Sequence, residues 1–200
     1  MIKVDCIKEL KDIYSASKKE ATIVDVPDMN FLMVDGEGAP QSRQYQEAIQ
    51  AVYPVAYTLK FTVKKAQGID YRVMPLEGLW WADDMARFME DRNKWKWTAM
   101  IMQPKYVTAD VFSAAVQQVR EKKAPVALDK VRFECYHEGK AAQIMHVGPF
   151  STEGPNVEKV HAAIKAAGCQ LAGKHHEIYL SDARKTAPEK WKTIIRQPMK

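Results

Sequence analysis

The sequence predicts an α+β fold built twice over: antiparallel sheets with helices on one face. Three observations predict it. Short alternating apolar–polar runs mark strands, and longer runs with apolar residues every three or four positions mark helices. The order hairpin, helix, strand, strand occurs once in residues 20–104 and again in residues 128–198. A stretch at about 108–122 reads as a linking helix, and residues 1–19 as an N-terminal arm. A repeated element order implies two αβ units joined about a pseudo-twofold axis, with a ligand cleft near it.

Taken in order, residues 5–14 place Cys6 or Ile7, Leu10 and Ile13 on one side of a short helix. Thr22–Val26 alternates as a strand and stops at Pro27. Pro27, Asp28, Met29 and Asn30 have turn chemistry, so residues 31–35 read as the returning strand of a hairpin. Residues 43–63 carry Tyr45, Ile49, Val52, Ala56, Leu59 and Val63 at helical spacing, with a kink or break expected at Pro54. Residues 71–81 read as one strand, with a bulge or edge position suggested by Pro75 and Gly78. Residues 82–92 form a charged connection, and residues 95–102 the next strand. Thr108 is placed to cap a helix whose stripe is Val111, Ala115 and Val119. A second hairpin is expected from 131–137 and 142–147, then a helix over 157–167 closed by Gly168. A strand through Glu177 and a last strand over 191–196 complete the chain.

Composition narrows the function. Thirty Lys and Arg against 25 Asp and Glu give a net charge of +5, and the basic residues are scattered among acids. That pattern suits a solvated surface better than a nucleic-acid stripe. Three distant cysteines without a CxxC pair read as reduced thiols of a cytoplasmic protein. The N-terminus lacks the pattern of a signal peptide, and no run reaches the ~20 apolar residues of a membrane span. His175-His176-Glu177 lacks the second histidine of a zinc HExxH helix. His137 and His146 could meet across strands, but no carboxylate or thiol completes a metal set. Gly36-Glu37-Gly38 is too short for a nucleotide loop, and Ser151 has no nucleophile elbow. No metal or cofactor is expected.

The chemistry concentrates in His175-His176-Glu177-Ile178-Tyr179-Leu180-Ser181-Asp182. As a strand it puts Ile178 and Leu180 on one face with His176, and His175, Glu177 and Tyr179 on the other. The aliphatic face suits a covering helix; the acid and the phenol suit a pocket wall. Trp80, Trp81, Trp95 and Trp97 add aromatic surface. An acid among aromatic rings captures flat, often cationic molecules. Each Trp is equally at home in the core. Trp80 and Trp81 alternate, so one is expected in the core and the other in the cavity. Trp95 and Trp97 share a face and act together. Glu77 occupies the repeat position equivalent to Glu177: it is either a second pocket acid or a structural partner of Arg72 or Arg196. His175 reads as an exposed edge histidine.

Six segments together resemble the GyrI-like small-molecule-binding family: Leu10-Lys11-Asp12-Ile13-Tyr14, Val24-Asp25-Val26-Pro27, the run from Phe31 to Gly38, Pro75-Leu76-Glu77-Gly78-Leu79-Trp80-Trp81, the Glu177 strand, and Lys192-Thr193-Ile194-Ile195-Arg196-Gln197-Pro198. The resemblance implies a duplicated βαββ-type (SHS2-like) unit with a central ligand cleft. It implies that Glu177 is the pocket acid and that Trp80 and Trp81 are the family's Trp pair; Tyr71, Tyr136 and Phe150 are further candidate wall residues. Relatives include effector domains of multidrug-responsive activators, gyrase-inhibitor-like proteins and stand-alone binders. One subgroup hydrolyses the strained cyclopropane of DNA-alkylating compounds. About twenty residues precede the first strand, too few for the helix-turn-helix domain of an activator. The expected function is therefore stand-alone xenobiotic binding, with cyclopropanoid hydrolysis and a sensor or gyrase-directed interaction module as alternatives. In the hydrolytic alternative, Glu177 guides a water and a Tyr hydroxyl such as that of Tyr179 donates to the developing oxyanion. Tyr179 could equally bond the acid or simply pack in the wall.

Overall fold

The computed structural model describes the backbone of residues 1–200 and the side chains of all but Ala86 and Lys123. In chain order the elements are β1 (Ile2–Val4), α1 (Cys6–Glu9), α2 (Lys11–Tyr14), β2 (Thr22–Val26), β3 (Met29–Glu37), α3 (Arg43–Gln67), β4 (Ile69–Tyr71) and β5 (Leu76–Trp81). There follow β6 (Lys96–Gln103), α4 (Ala109–Lys123), β7 (Arg132–Tyr136), β8 (Gly139–Val147), α5 (Gly154–Ala166), β9 (His175–Tyr179) and β10 (Lys192–Pro198). The fold is α+β with antiparallel sheets. No helix among the described residues is long and apolar enough to cross a membrane.

The chain folds into two compact units that interleave along the sequence. The first comprises Met1–Glu9, Met29–Met74 and Trp80–Tyr136, and the second Leu10–Asp28, Pro75–Leu79 and His137–Lys200. In the first unit β3 lies between β6 and β7, antiparallel to both, and β1 pairs with β4 in parallel. In the second, β8 lies between β2 and β10, and β10 pairs on its other edge with β9, all antiparallel.

These pairings correct both expected hairpins. β2 does not pair with β3; it joins β8 through Thr22↔Gln143 to Val26↔Gly139. β7 does not pair with β8; it joins β3 through Met29↔Tyr136 to Met33↔Arg132. The first strand of each repeat is thus zipped onto the second strand of the other. Alternation fixes which face a side chain takes but not which of two similar partners the backbone meets.

α3 runs unbroken through Pro54, where a kink or break was expected. Its buried stripe, Tyr45, Ala48, Val52, Val55, Ala56, Leu59 and Val63, continues on both sides of the proline. Packing of both halves offsets the roughly 3 kcal/mol cost of an internal proline. Ser42 Oγ accepts from the Tyr45 amide at 3.3 Å, and Gly68, at φ 68°, ends the helix. The single strand expected over 71–81 is two strands, β4 and β5, separated at Pro75. The N-terminal arm is more broken than expected, with β1 ahead of two one-turn helices.

In the second unit, α5 packs Val160 and Ile164 onto Ala142, Ile144 and Ile195, and the arm residues 12–15 lie on the opposite sheet face. In the first, Trp97 of β6 lies over its cross-strand partner Gly36. A Cβ at Gly36 would stand 2.3 Å from the Trp97 ring carbons Cη2 and Cζ2. Gly36→Ala must push the indole out of place and is expected to cost about 1–3 kcal/mol. A thermal melt following Trp fluorescence checks this; an unshifted midpoint contradicts it.

Candidate functional site: the Glu177 face and the charged cluster behind it

β9 is two-faced. Its register with β10 pairs Ile195 with Glu177 and Thr193 with Tyr179. Residues opposite one another project to the same side. Ile195 belongs to the core beneath α5, so Glu177, Tyr179 and His175 share the α5 side of the sheet. The sequence predicts the covering helix over the Ile178 face instead. Ile178 pairs with Ile194, and His176 with Arg196, on the side covered by the arm.

On the α5 side, Glu177 is held in a poorly hydrated position, its side chain 12% exposed, with His175 Nε2 3.3 Å from its Oε1. Tyr179 meets Phe150 edge-on, with centroids 5.7 Å apart, and Phe150 leans on Trp191 at 5.1 Å. The Phe150 turn is fastened by His146, which faces the Pro149 carbonyl at 3.1 Å and Asn156 Nδ2 at 3.1 Å. Trp191 donates from Nε1 to the Thr186 carbonyl at 2.7 Å. Beyond β9, Ser181 Oγ accepts from the Lys192 amide, and Asp182 accepts two bonds from the Arg184 guanidinium. Those Arg184 bonds hold the Asp182 carboxyl down at about 2. This turn brings β10 and Trp191 back beside Tyr179. Trp191 lies two residues before Thr193, the cross-strand partner of Tyr179. That alternation is the signal in the sequence that places a ring at this position.

The arm side carries charges that sequence reasoning missed. His176 is fully buried, its Nδ1 2.7 Å from Glu138 Oε1 and its Nε2 2.9 Å from Glu77 Oε2. Arg196, also fully buried, donates to Glu138 Oε2 at 2.8 Å, to Gln143 Oε1 at 3.0 Å and to the Ile13 carbonyl. Tyr14 donates to Glu77 Oε1 at 2.6 Å. Gln143 donates to the Asp12 and Ser15 carbonyls. Two cations and two carboxylates balance, and their hydrogen bonds fasten the arm. Burial pushes the Glu138 carboxyl up, but His176 and Arg196 outweigh it and bring it to about 2. Burial pulls the His176 imidazolium down, and Glu138 and Glu77 outweigh it, holding it at about 9. Burial and the Glu77 carboxylate push the Tyr14 phenol well up, so it stays a donor.

The other residues singled out in the sequence fall as follows. Glu77 is fully buried within the charged cluster, partnered by Tyr14 and His176 rather than by Arg72 or Arg196. In the first unit Trp80 is buried against Tyr45 and Trp95, with centroids at 5.1 and 5.7 Å, while Trp81 is half-buried. Trp95 stacks on Phe88 at 4.2 Å. Trp97 is wholly enclosed, edge-on to Tyr45. Tyr71 is buried near Cys6; burial pushes its phenol up, and its hydroxyl has no partner among the described residues. Tyr136 is half-buried and meets Phe31 edge-on at 6.2 Å. A surface groove of about 480 Å³ between α3 and α4 is lined by Thr58, Phe61, Thr62, Lys65, Gln118 and Lys122 and offers no acid or base pair.

Glu177 and Tyr179 thus share one face of β9, and Tyr179, Phe150 and Trp191 meet ring to ring beside it. The chain belongs to the GyrI-like small-molecule-binding domain family, whose profile matches residues 19–200. It is 40% identical to a conserved, uncharacterized protein from Listeria innocua, with 98% of this chain and 100% of that one covered and a TM-score of 0.91. It is likewise 40% identical to a hydrolase from Listeria innocua, over 98% of this chain and 100% of that one, with a TM-score of 0.86. The EcmrR C-terminal domain, 13% identical over 90% of this chain and 97% of that one, shares the fold with a TM-score of 0.55. No curated protein matches the chain.

Proposed function

We propose that this chain captures flat aromatic small molecules on the Glu177 face and hydrolyses those that carry a strained, electrophilic carbon. One observation carries the reading: a poorly hydrated carboxylate, Glu177, stands on the same face as Tyr179, which meets Phe150, which in turn meets Trp191. The Listeria innocua hydrolase at 40% identity supports turnover over binding alone. Rings hold the flat body, and the carboxylate takes a proton from water. For a cyclopropane fused to a dienone, the water oxygen bonds to the ring methylene as one ring C–C bond breaks. The released electron pair moves into the dienone, which becomes a phenolate and takes up a proton. The net change is addition of one water. Tyr179 is the donor to the developing oxyanion.

Incubation of a cyclopropane-dienone compound in ¹⁸O-water, followed by mass spectrometry, tests this. The expected product is one labelled water heavier, with the label on the former methylene. An unchanged compound after hours at stoichiometric protein overturns hydrolysis. A second reading, retention of cationic ligands without turnover, draws on the same acid and rings, because a carboxylate pairs with a cation that aromatic faces also attract. Its signature is a rhodamine-type dye that binds and is weakened by Glu177→Gln, with no product from the cyclopropane.

A further inference from the structure

We infer that His175 is the positioning residue of Glu177: its imidazole fixes one carboxylate oxygen and leaves the other for the water or ligand. This rests on the reading of Glu177 as the working acid. His175 and Glu177 are two apart in β9 and so project to the same side. His175 Nε2 is 3.3 Å from Glu177 Oε1, and the side chains are only 11% and 12% exposed, so little water competes for either. β10 presents Ile195 and Gln197 on this side, neither of them charged. From α5 comes His161, whose imidazole is pushed down first by burial and then by His175, with Glu158 opposing. Glu177 is the carboxylate that His175 meets.

The chemistry follows from the geometry. His175 holds Oε1 from one side, and Oε2 is left as the oxygen that takes the proton.

His175→Ala and His175→Gln, read beside Glu177→Gln, test this with the full chain and a cyclopropane-dienone probe. The expected loss in kcat for His175→Ala is about tenfold, with KM within about twofold. The Gln amide restores most of that loss, because it can donate to the same oxygen. Wild-type kcat in His175→Ala, or no recovery in His175→Gln, overturns the inference. If the probe is bound but not turned over, the same variants are read by rhodamine affinity, with a loss in His175→Ala and recovery in His175→Gln expected. Failure of Glu177→Gln to change either turnover or dye affinity instead sinks the underlying reading, so the two failures are distinguishable.

Discussion

Glu177→Gln is expected to abolish turnover while leaving the protein folded. The amide keeps the size and one donor–acceptor pair but cannot accept a proton. Loss of a positioned general base costs about 10²–10⁴ in kcat. KM for a neutral flat substrate should hardly move, because the rings of Phe150, Tyr179 and Trp191 remain. Affinity for a cationic dye should fall, because the charge it pairs with is gone. The variant should melt within about 1 kcal/mol of wild type, since the amide keeps the size of the carboxylate and the contact with His175 is a long one, 3.3 Å. Steady-state kinetics, dye titration and a thermal melt on one preparation check all three. Undiminished kcat would show that Glu177 is not the base.

Arg196→Met is the substitution with the largest expected effect on stability. It removes one cation from a cluster in which Arg196, His176, Glu77 and Glu138 are all buried. Glu138 keeps only His176, and the Ile13 carbonyl and Gln143 Oε1 lose a donor. Breaking a buried pair from one side costs about 3–5 kcal/mol, a drop in Tm on the order of 10 °C for a chain of this size. The arm should loosen first, which amide exchange of residues 12–17 would register. A double-mutant cycle with Glu138→Gln should be strongly non-additive, and additive losses would mean the pair is not coupled.

The same cluster makes stability depend on pH from both sides. The folded His176 value, about 9, lies above its ordinary 6.5, so its contribution is fully present below 6.5 and is lost as pH rises through about 9. The folded Glu138 value, about 2, lies below its ordinary 4.5, so its contribution is present above 4.5 and is lost as pH falls through about 2. The cluster stabilises most between pH 4.5 and 6.5. Tm should decline from pH 6.5 toward 9, and His176→Gln should flatten that decline. An equally steep decline in the variant would place its origin elsewhere.

Much of this was legible in the sequence. Alternation gave Glu177, Tyr179 and His175 a common face, and helical spacing gave α3 its buried stripe on both sides of Pro54. Both are local: a residue's neighbours in sequence fix where its side chain points. Pairing was not legible. β2 and β7 alternate as well with one partner as with another, so only the folded backbone decided that they exchange repeats. The charged cluster was hidden for the same reason. Tyr14, Glu77, Glu138, His176 and Arg196 are scattered along the chain, and although Glu77 reads as a possible partner of Arg196, nothing in their spacing brings all five together. The sequence by itself determined the α+β elements, the family and the acid of the β9 face. Tertiary structure decided which strands join, which face of β9 α5 shares, and that His176, one residue from the acid, is a buried cation. Side-chain direction is set by local backbone geometry, whereas burial and charge compensation exist only once distant segments meet.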